Sequence, residues 1–577
     1  MASKMLINTP SDCVDECLRG LVTFNPGLQI LQGHRVVVRS DIDKVKADGK
    51  VTLISGGGSG HEPAHAGYVG PGMLSAAVAG AVFTSPAPAS ILAAIQAVTS
   101  PGGTLLIVKN YTGDRLNFGL ASEQAKGLGM QVDMVVVAED CALTSADKTA
   151  GRRGLCGTVL VHKIAGALAE EGRSLQEIAS VCRQAVSAMG TIGLSLSACS
   201  LPGRGPSFSL APDEMELGLG IHGEAGVCRL KVQSARDAVR LMLEHMTNGQ
   251  SASHLTIGKG DHVALMVNNL GGTSVLEMNI VADEAVQWLE REAGAEVTRA
   301  FAGSFMTSLQ MAGVSLTVLR LDGTTQRCLD AATQASAWVR PFLADGQTGC
   351  MSPCIMKCDE RLISPEVCVK GAALTQDVAA KLSAAISAAC RVLIAQQDAL
   401  DDLDRVAGDA DCGSTHARGA TAILSLLEKQ VELVSRPQSF LLAVAASLSR
   451  EMGGSSGALY SLFFPAAAGE LSGSVDSPAW VKALSQGVSA IMRYGGAEPG
   501  DRTMLDALQP MCSALQLKID LRAAAKAAVE GSQQTKSMRA HAGRASYVAA
   551  DQLTAVDPGA HAVAIWMTAL AESLQPA

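Results

Sequence analysis

Two hydrophobic rhythms that cannot share one fold divide this chain. From residue 34 to about 335, short β-branched runs end in glycine-rich turns: "RVVVR", "VTLISGGGSG", "TLLIVKN", "VDMVVVAED", "HVALMVNNLGG" and "VSLTVLRL". Ala-rich stretches such as "VLVHKIAGALAEEG" lie between them. Runs that are apolar throughout suit strands buried on both faces, so parallel strands alternating with helices are predicted. Beyond residue 370 the period changes. Leu374, Val378, Leu382, Ile386, Cys390 and Ile394 recur every fourth residue, as one buried helix face requires. Similar patterns cover 417–430, 438–451, 477–494, 521–537 and 559–573, with no strand expected between them. The predicted fold is an α/β N-terminal domain over 9–336, a linker over 337–371 carrying Pro341, Pro353 and Pro365, and an all-α domain over 372–573. "VTLISGGGSG" and "HVALMVNNLGG" both run a strand into a glycine turn, which suggests two α/β subdomains within the first half.

Composition narrows the function classes. With 48% hydrophobic but only 3% aromatic residues, the interior must be built mainly from Ala, Val, Leu, Ile and Met. A formal charge of −9 gives no electrostatic reason for a nucleic-acid partner. The opening "MASKMLINTPSDCVDECLRG" has no continuous apolar core of a leader, and no segment reaches the ~18 uninterrupted apolar residues of a membrane span. A cytosolic protein acting on small molecules, with no membrane partner, is expected. The 15 cysteines are odd in number and scattered through apolar segments, the pattern of reduced thiols. Cys350, Cys354, Cys358 and Cys368 lack the tighter gaps of zinc knuckles and are expected to be unligated.

Several turns carry chemistry. In "ISGGGSGHEPAHAG", Gly56, Gly57, Gly58 and Gly60 are expected to bend the backbone after a strand, with Ser59 and His61 projecting from the loop. "IVKNYTGDRLNF" ends a strand, where ligands of open α/β sheets bind. There Lys109, Asn110 and Asp114 offer a cation, an amide and a carboxylate to a polyhydroxy compound, with helix capping by Asp114 as the alternative. "GLGIHGEAG" sets His222 among glycines, open either to a small electrophile at its ring nitrogen or to a structural role. In the second half, "LDRVAGDADCGSTH" gathers Asp404, Asp409 and Asp411, hard oxygen ligands suited to Mg²⁺ with bound phosphates. "EMGGSSGALY" supplies a loop whose N–H groups and hydroxyls suit phosphate oxygens, and "GAEPGDRTMLDAL" follows with Asp501, Arg502, Thr503 and Asp506. No Walker loop or protein-kinase signature is present.

Together "GGGSGHEP", "KNYTGDRLNFG", "GRRGLCGT", "ELGLGIHGEAG", "MVNNLGG", "GDADCGSTH", "EMGGSSGALY", "PGDRTMLDAL" and "AGRASY" resemble the dihydroxyacetone kinase family, in its order and over nearly the whole chain. The resemblance is closest to the animal branch, which also cleaves FAD. It implies that the α/β half binds the substrate, with His222 joined to the carbonyl carbon as a hemiaminal, so that short ketoses and aldoses are chosen over glycerol. Gly58, Ser59, Gly60, His61 and Lys109 would line the triose, Asp114 would be the general base and His61 would assist. The glycines around His222 would serve close approach of the sugar.

By the same resemblance the helical half is an antiparallel helical barrel that binds nucleotide. Asp404, Asp409 and Asp411 would hold two divalent ions, and Asp409, Ala410, Asp411, Cys412, Ser455, Ser456, Gly495, Thr503, Met504, Asp557, Pro558 and Gly559 would surround ATP. Ala410 stands where some relatives carry glycine, a change expected to matter little. Mg²⁺ is implied for the kinase reaction. Mn²⁺ or Co²⁺ is implied for a second one, in which FAD is split into AMP and riboflavin cyclic 4′,5′-phosphate without need of His222. A homodimer is implied, the substrate half of one chain facing the nucleotide half of the other. Two alternatives are a phosphoenolpyruvate-linked phosphotransferase, against which the fusion of both halves argues, and a non-catalytic sugar-binding regulator, against which the presence of His222 and the aspartates argues.

Overall fold

The computed structural model describes residues 4–142, 151–339 and 369–575. Cys350, Cys354, Cys358 and Cys368, and with them most of the predicted linker, lie outside the described residues. The chain forms two compact units that divide between residues 354 and 355. The described cysteines are all free.

The first unit contains two six-stranded sheets. One is built from β1 (Leu28–Ile30), β2 (Val36–Arg39), β3 (Thr52–Ser59), β4 (Ala76–Val82), β5 (Thr104–Lys109) and β6 (Val132–Val137), in the order β1-β2-β4-β3-β5-β6. The four strands β4, β3, β5 and β6 are parallel, with β2 and β1 added antiparallel at one edge. β3 and β5 are buried along their whole length, as their unbroken apolar runs require. One face packs Ile54, Leu106 and Val108 on Ile91, Ile95 and Phe118, and the other packs Leu53, Leu105 and Ile107 among Val159, Leu160 and Ile164.

The second sheet combines β7 (Met189–Ser195), β8 (Glu214–Leu217), β9 (Cys228–Lys231), β10 (His262–Asn269), β11 (Glu296–Gly303) and β12 (Gly313–Arg320), in the order β11-β10-β12-β7-β8-β9. Here the predicted parallel arrangement is corrected. Only β10 and β11 run parallel, joined through the helix Val275–Arg291; β12, β7, β8 and β9 are antiparallel to their neighbours. The cause lies in the connections. The segment 304–312 contains no helix, so the chain re-enters the sheet from the end at which it left, which only an antiparallel strand allows. Apolar runs report burial on two faces and are silent on direction.

The glycine run is also placed differently from expectation. Gly56, Gly57 and Gly58 lie inside β3 and not in a loop. They are small because neighbours press on them: a Cβ on Gly56 would run into the Val78 carbonyl, and one on Gly58 would lie 2.6 Å from Thr84 N.

The second unit is helical: Gln376–Ala395, Gln397–Ala407, Cys412–Lys429, Pro437–Glu451, Gly454–Glu470, Ser477–Gly495, Leu505–Leu517, Leu521–Gln534 and Pro558–Leu574, with no strand among its described residues. The four-residue rhythm turns inward only in part: Cys390 is buried and Leu374, Leu382, Ile386 and Ile394 are half-buried, whereas Val378 faces solvent and the small Ala379, Ala385 and Ala389 take the innermost positions. Leu382, Ile386 and Cys390 line an apolar cavity of about 200 Å³ together with Phe440, Phe463 and Trp566. The helices Gly454–Glu470 and Leu505–Leu517 had no counterpart in the periodic reading, because each contains a proline, Pro465 and Pro510, that reads as a breaker. Among the described residues one helix, Gln376–Ala395, is long and apolar enough by length and composition to cross a membrane; it packs on Pro558–Leu574 and Cys412–Lys429.

Candidate active site

In the first unit the chemistry gathers around one imidazole. Gly218 and Gly223, at φ +76° and +82°, turn the chain tightly on either side of His222. The turn is closed by a residue the sequence reading passed over. Glu224 accepts the His222 backbone N–H (3.1 Å) with one oxygen and His222 Nδ1–H (2.7 Å) with the other. A Cβ on Gly220 would collide with that carboxylate and lie 2.7 Å from Arg153 Nη1. Gly220 therefore makes room for Glu224, which corrects the expectation that it makes room for a sugar.

Glu224 is held at about 2: burial opposes its charge, and the His222 hydrogen bond and charge overcome that. As a carboxylate it can only accept, so Nδ1 carries a proton, and in the neutral ring the lone pair then lies on Nε2. Arg153 braces the same turn, donating to Asp140 Oδ2 (2.6 Å) and to the Gly218 carbonyl (2.6 Å), which gives "GRRG" a structural role.

Three rings enclose His222, with centroids at 4.8 Å (His61), 4.7 Å (Tyr111) and 5.2 Å (Phe83). The His222 side chain retains 20% exposure, so the ring can still be reached. His61 is fully buried. Its Nδ1–H donates to the Thr307 carbonyl (2.8 Å), and its Nε2 is left without a partner. Burial, then the charge of Lys109, push its pKa well below the usual imidazole range, so it is neutral and its Nε2 can accept a hydrogen bond.

Lys109 ends β5 with its Nζ buried and unpartnered, 5.8 Å above the Tyr111 ring. Burial lowers its amine pKa, against the opposing pull of Asp114 and Glu224. Asp114 stands in the first turn of the helix Thr112–Gly127 and accepts from Ser85 Oγ (2.5 Å); the helix is capped at Tyr111, so Asp114 is no capping residue. A Cβ on Gly57 would lie 3.0 Å from Lys109 Nζ and 3.5 Å from Asp114 Oδ2, so both groups converge on that bare Cα. Two expected contributors face elsewhere. Ser59 does not project: its Oγ donates to the Gly80 carbonyl (2.8 Å), while Asn110 Nδ2 is spent on the Arg152 carbonyl (2.5 Å).

In the second unit Asp404, Asp409 and Asp411 bring carboxylate oxygens within 4.8 Å of one another. The helix Gln397–Ala407 carries Asp404, whose Oδ2 accepts from Asp411 N (3.0 Å) and Cys412 N (3.3 Å) and so folds the loop back on itself. Burial and the neighbouring Asp409 and Asp404 raise the Asp411 carboxyl pKa, whereas Arg544 pairs with Asp409 and lowers its pKa. A cluster of like charges that already recruits a guanidinium suits a divalent cation. Ala410 has φ +59°, a left-handed backbone that costs a non-glycine residue about 1–2 kcal/mol. The alanine therefore carries strain, contrary to the expectation that it matters little.

The other nucleotide-motif residues assemble nearby. Gly453 and Gly454, at φ +68° and +62°, lead into the helix that holds Ser455 and Ser456 in its first turn, not in a loop as expected. A Cβ on Gly454 would touch Thr415. Thr503 N donates to Asp506 (2.8 Å), Met504 caps Leu505–Leu517, and a Cβ on Gly559 would lie 3.5 Å from the Met504 Cβ. Asp557 caps the helix begun by Pro558, accepting from Ala560 N (2.8 Å), and burial raises its pKa to about 6. Gly495 ends Ser477–Gly495 against Leu459, one turn from Ser455. Cys412 is buried with its thiol 3.5 Å from His416 Nδ1. Arg544, in "AGRASY", was missed as a site residue, since one arginine in a short motif gives no spacing signal.

Comparison with known proteins agrees with this division. A Dak1 domain matches residues 19–337 and a DAK2 domain matches 406–572. The chain is 49% identical to the Homo sapiens protein named triokinase/FMN cyclase, over 100% of both chains, and 38% identical to the dihydroxyacetone kinase of Citrobacter freundii, over 99% of both. The structure of that C. freundii kinase in complex with AMP-PNP and Mg²⁺ matches with TM-score 0.63 and 37% identity, covering 99% of this chain and 100% of that one.

Proposed function

The chain belongs to the dihydroxyacetone kinase family, and from that premise we propose that it phosphorylates dihydroxyacetone and D-glyceraldehyde with ATP and also splits FAD into AMP and riboflavin cyclic 4′,5′-phosphate. The observation that carries the first activity is the Glu224–His222 pair, which fixes the proton on Nδ1 and frees Nε2. Nε2 attacks the carbonyl carbon. As the C–N bond forms, the carbonyl oxygen takes up a proton from water to become a hydroxyl, and the ring releases its Nδ1 proton through Glu224 to water, so one proton is gained and one lost. The acceptor is then part of the protein, which replaces a bimolecular encounter by a fixed alignment. Asp114 takes the proton of the hydroxyl that attacks phosphorus, Lys109 offsets the charge that develops, and neutral His61 accepts a hydrogen bond from the substrate.

The carboxylates Asp404, Asp409 and Asp411 are the residues that would hold divalent ions: Mg²⁺ for the kinase, Mn²⁺ or Co²⁺ for FAD cleavage. Such ions supply neutralisation of phosphate charge. Ser455, Ser456, Thr503, Met504 and the segment 557–559 surround the nucleotide, and Arg544 lies beside them, ready to exchange Asp409 for a phosphate oxygen. A homodimer in the cytosol, each copy presenting its carbonyl-binding half to the other's nucleotide half, completes the reading.

Incubation of the native chain with Mg²⁺, ATP and dihydroxyacetone is expected to yield dihydroxyacetone phosphate. With Mn²⁺ and FAD it is expected to yield AMP and the cyclic phosphate. Absence of either product overturns that half of the proposal. Glu224→Gln, which removes the anchor of the Nδ1 proton, is expected to lower kcat/KM for dihydroxyacetone by about 10²-fold or more, as loss of a histidine-orienting carboxylate does elsewhere. FAD cleavage by the same variant should be unchanged.

A further inference from the structure

Among the described residues, four that are not glycine have a clearly positive φ: Phe83, Leu309, Ala410 and Arg502. The last two belong to the nucleotide motifs. The first two are assigned to nothing, yet both press on Gly60, next to His61. A Cβ on Gly60 would lie 2.7 Å from Phe83 Cε1 and 3.4 Å from Leu309 Cδ2. Phe83 N donates to the Ser59 carbonyl (2.9 Å) and Leu309 N to the Gly60 carbonyl (2.8 Å), so each is hooked to the same strand end. Phe83 sits at φ +55° and Leu309 at +54°, conformations that persist only where the surroundings over-determine them and that cluster at ligand clamps. The Phe83 ring stacks on His61 (5.1 Å, 17° between planes) and meets His222 edge-on (5.2 Å, 85°). It is half-buried, while His61 beneath it is fully buried.

We propose that Phe83, backed by Leu309, is the wall that limits the length of the carbonyl substrate on one side of His222. The inference rests on His222 as the nitrogen that takes the carbonyl. A carbonyl carbon bonded to Nε2 carries two arms. One can extend toward the polar groups Lys109, Asp114 and His61. The other meets an aromatic face already in contact with the imidazole and has room for a hydrogen or a hydroxymethyl group, not for a longer polyhydroxy chain. That ring is held in place: its backbone N–H donates to the Ser59 carbonyl and the ring lies stacked on His61 beside Gly60. The substrate class that follows is aldehydes and hydroxymethyl ketones whose second arm is short.

The test compares kcat/KM for dihydroxyacetone and for a linear five-carbon 3-ketose, both of whose arms are longer than hydroxymethyl, with Mg²⁺ and ATP, in the native chain, Phe83→Gly and Phe83→Leu. Phe83→Gly removes the ring and relieves the backbone strain, so it opens the wall without adding a new distortion. It is expected to raise the five-carbon to three-carbon ratio by about tenfold or more, the scale of discrimination that apolar pocket contacts provide. Phe83→Leu is expected to raise the ratio less. FAD cleavage by both variants reports that the chain is folded. A ratio within about twofold of native in Phe83→Leu and in any active Phe83→Gly overturns the inference. Failure of the underlying reading looks different: dihydroxyacetone turnover would then survive His222→Ala, whatever the ratio does in the Phe83 variants.

Discussion

His222→Ala is expected to lose phosphorylation of dihydroxyacetone by about 10³-fold or more, the order of advantage that a tethered, aligned acceptor confers, while FAD cleavage stays at the native level. The asymmetry is the informative part. His222 lies in the first unit, enclosed by His61, Tyr111 and Phe83. The carboxylate cluster lies in the second unit. FAD brings its own acceptor, a ribityl hydroxyl, so nothing need be anchored. A variant that merely damaged folding would lower both activities. A variant that phosphorylated the triose at the native rate with an unchanged KM would show that the imidazole is not the anchor.

Asp411→Asn is expected to have the complementary breadth: both activities fall, each by about 10³-fold, since several kcal/mol of charge stabilisation go with the ion. Stability gives an independent readout. The fold raises the Asp411 carboxyl pKa through burial and through Asp409 and Asp404. A carboxyl raised above its unfolded value favours the protonated form, so its contribution to stability diminishes as pH rises through the folded pKa. At neutral pH and without metal, Asp411→Asn should therefore be at least as stable as the native chain. Added Mn²⁺ should raise the native melting temperature, because an ion that binds only the folded state stabilises it, and should raise that of the variant much less. Equal shifts in both proteins would remove Asp411 from the ligand set.

Much of this was readable from residues alone. The change of period falls at 337–370 and the two compact units divide between residues 354 and 355, while the motif residues His222, His61, Lys109 and Asp114 lie together in the first unit and the three aspartates in the second. What escaped notice depends on contacts between segments distant in sequence. Gly56 to Gly58 look like a loop on paper and are strand, because the reason for their small size is the approach of Val78 and Thr84. The antiparallel course of β12 follows from a connection without a helix, not from anything in the strand. Phe83 carries no motif; its meaning lies in a left-handed backbone and two ring contacts. Glu224 was inside the quoted window and still unread, since a two-residue spacing in a turn has no periodic signature.

The nearness of Glu224 to His222 has a consequence for timing. Because the carboxylate is only two positions along the chain, holding the ring requires closing a very short loop, and the entropy for that is spent when the protein folds. In the reaction proposed above, the ring is thus held with its Nδ1 proton on Glu224 before any carbonyl compound arrives.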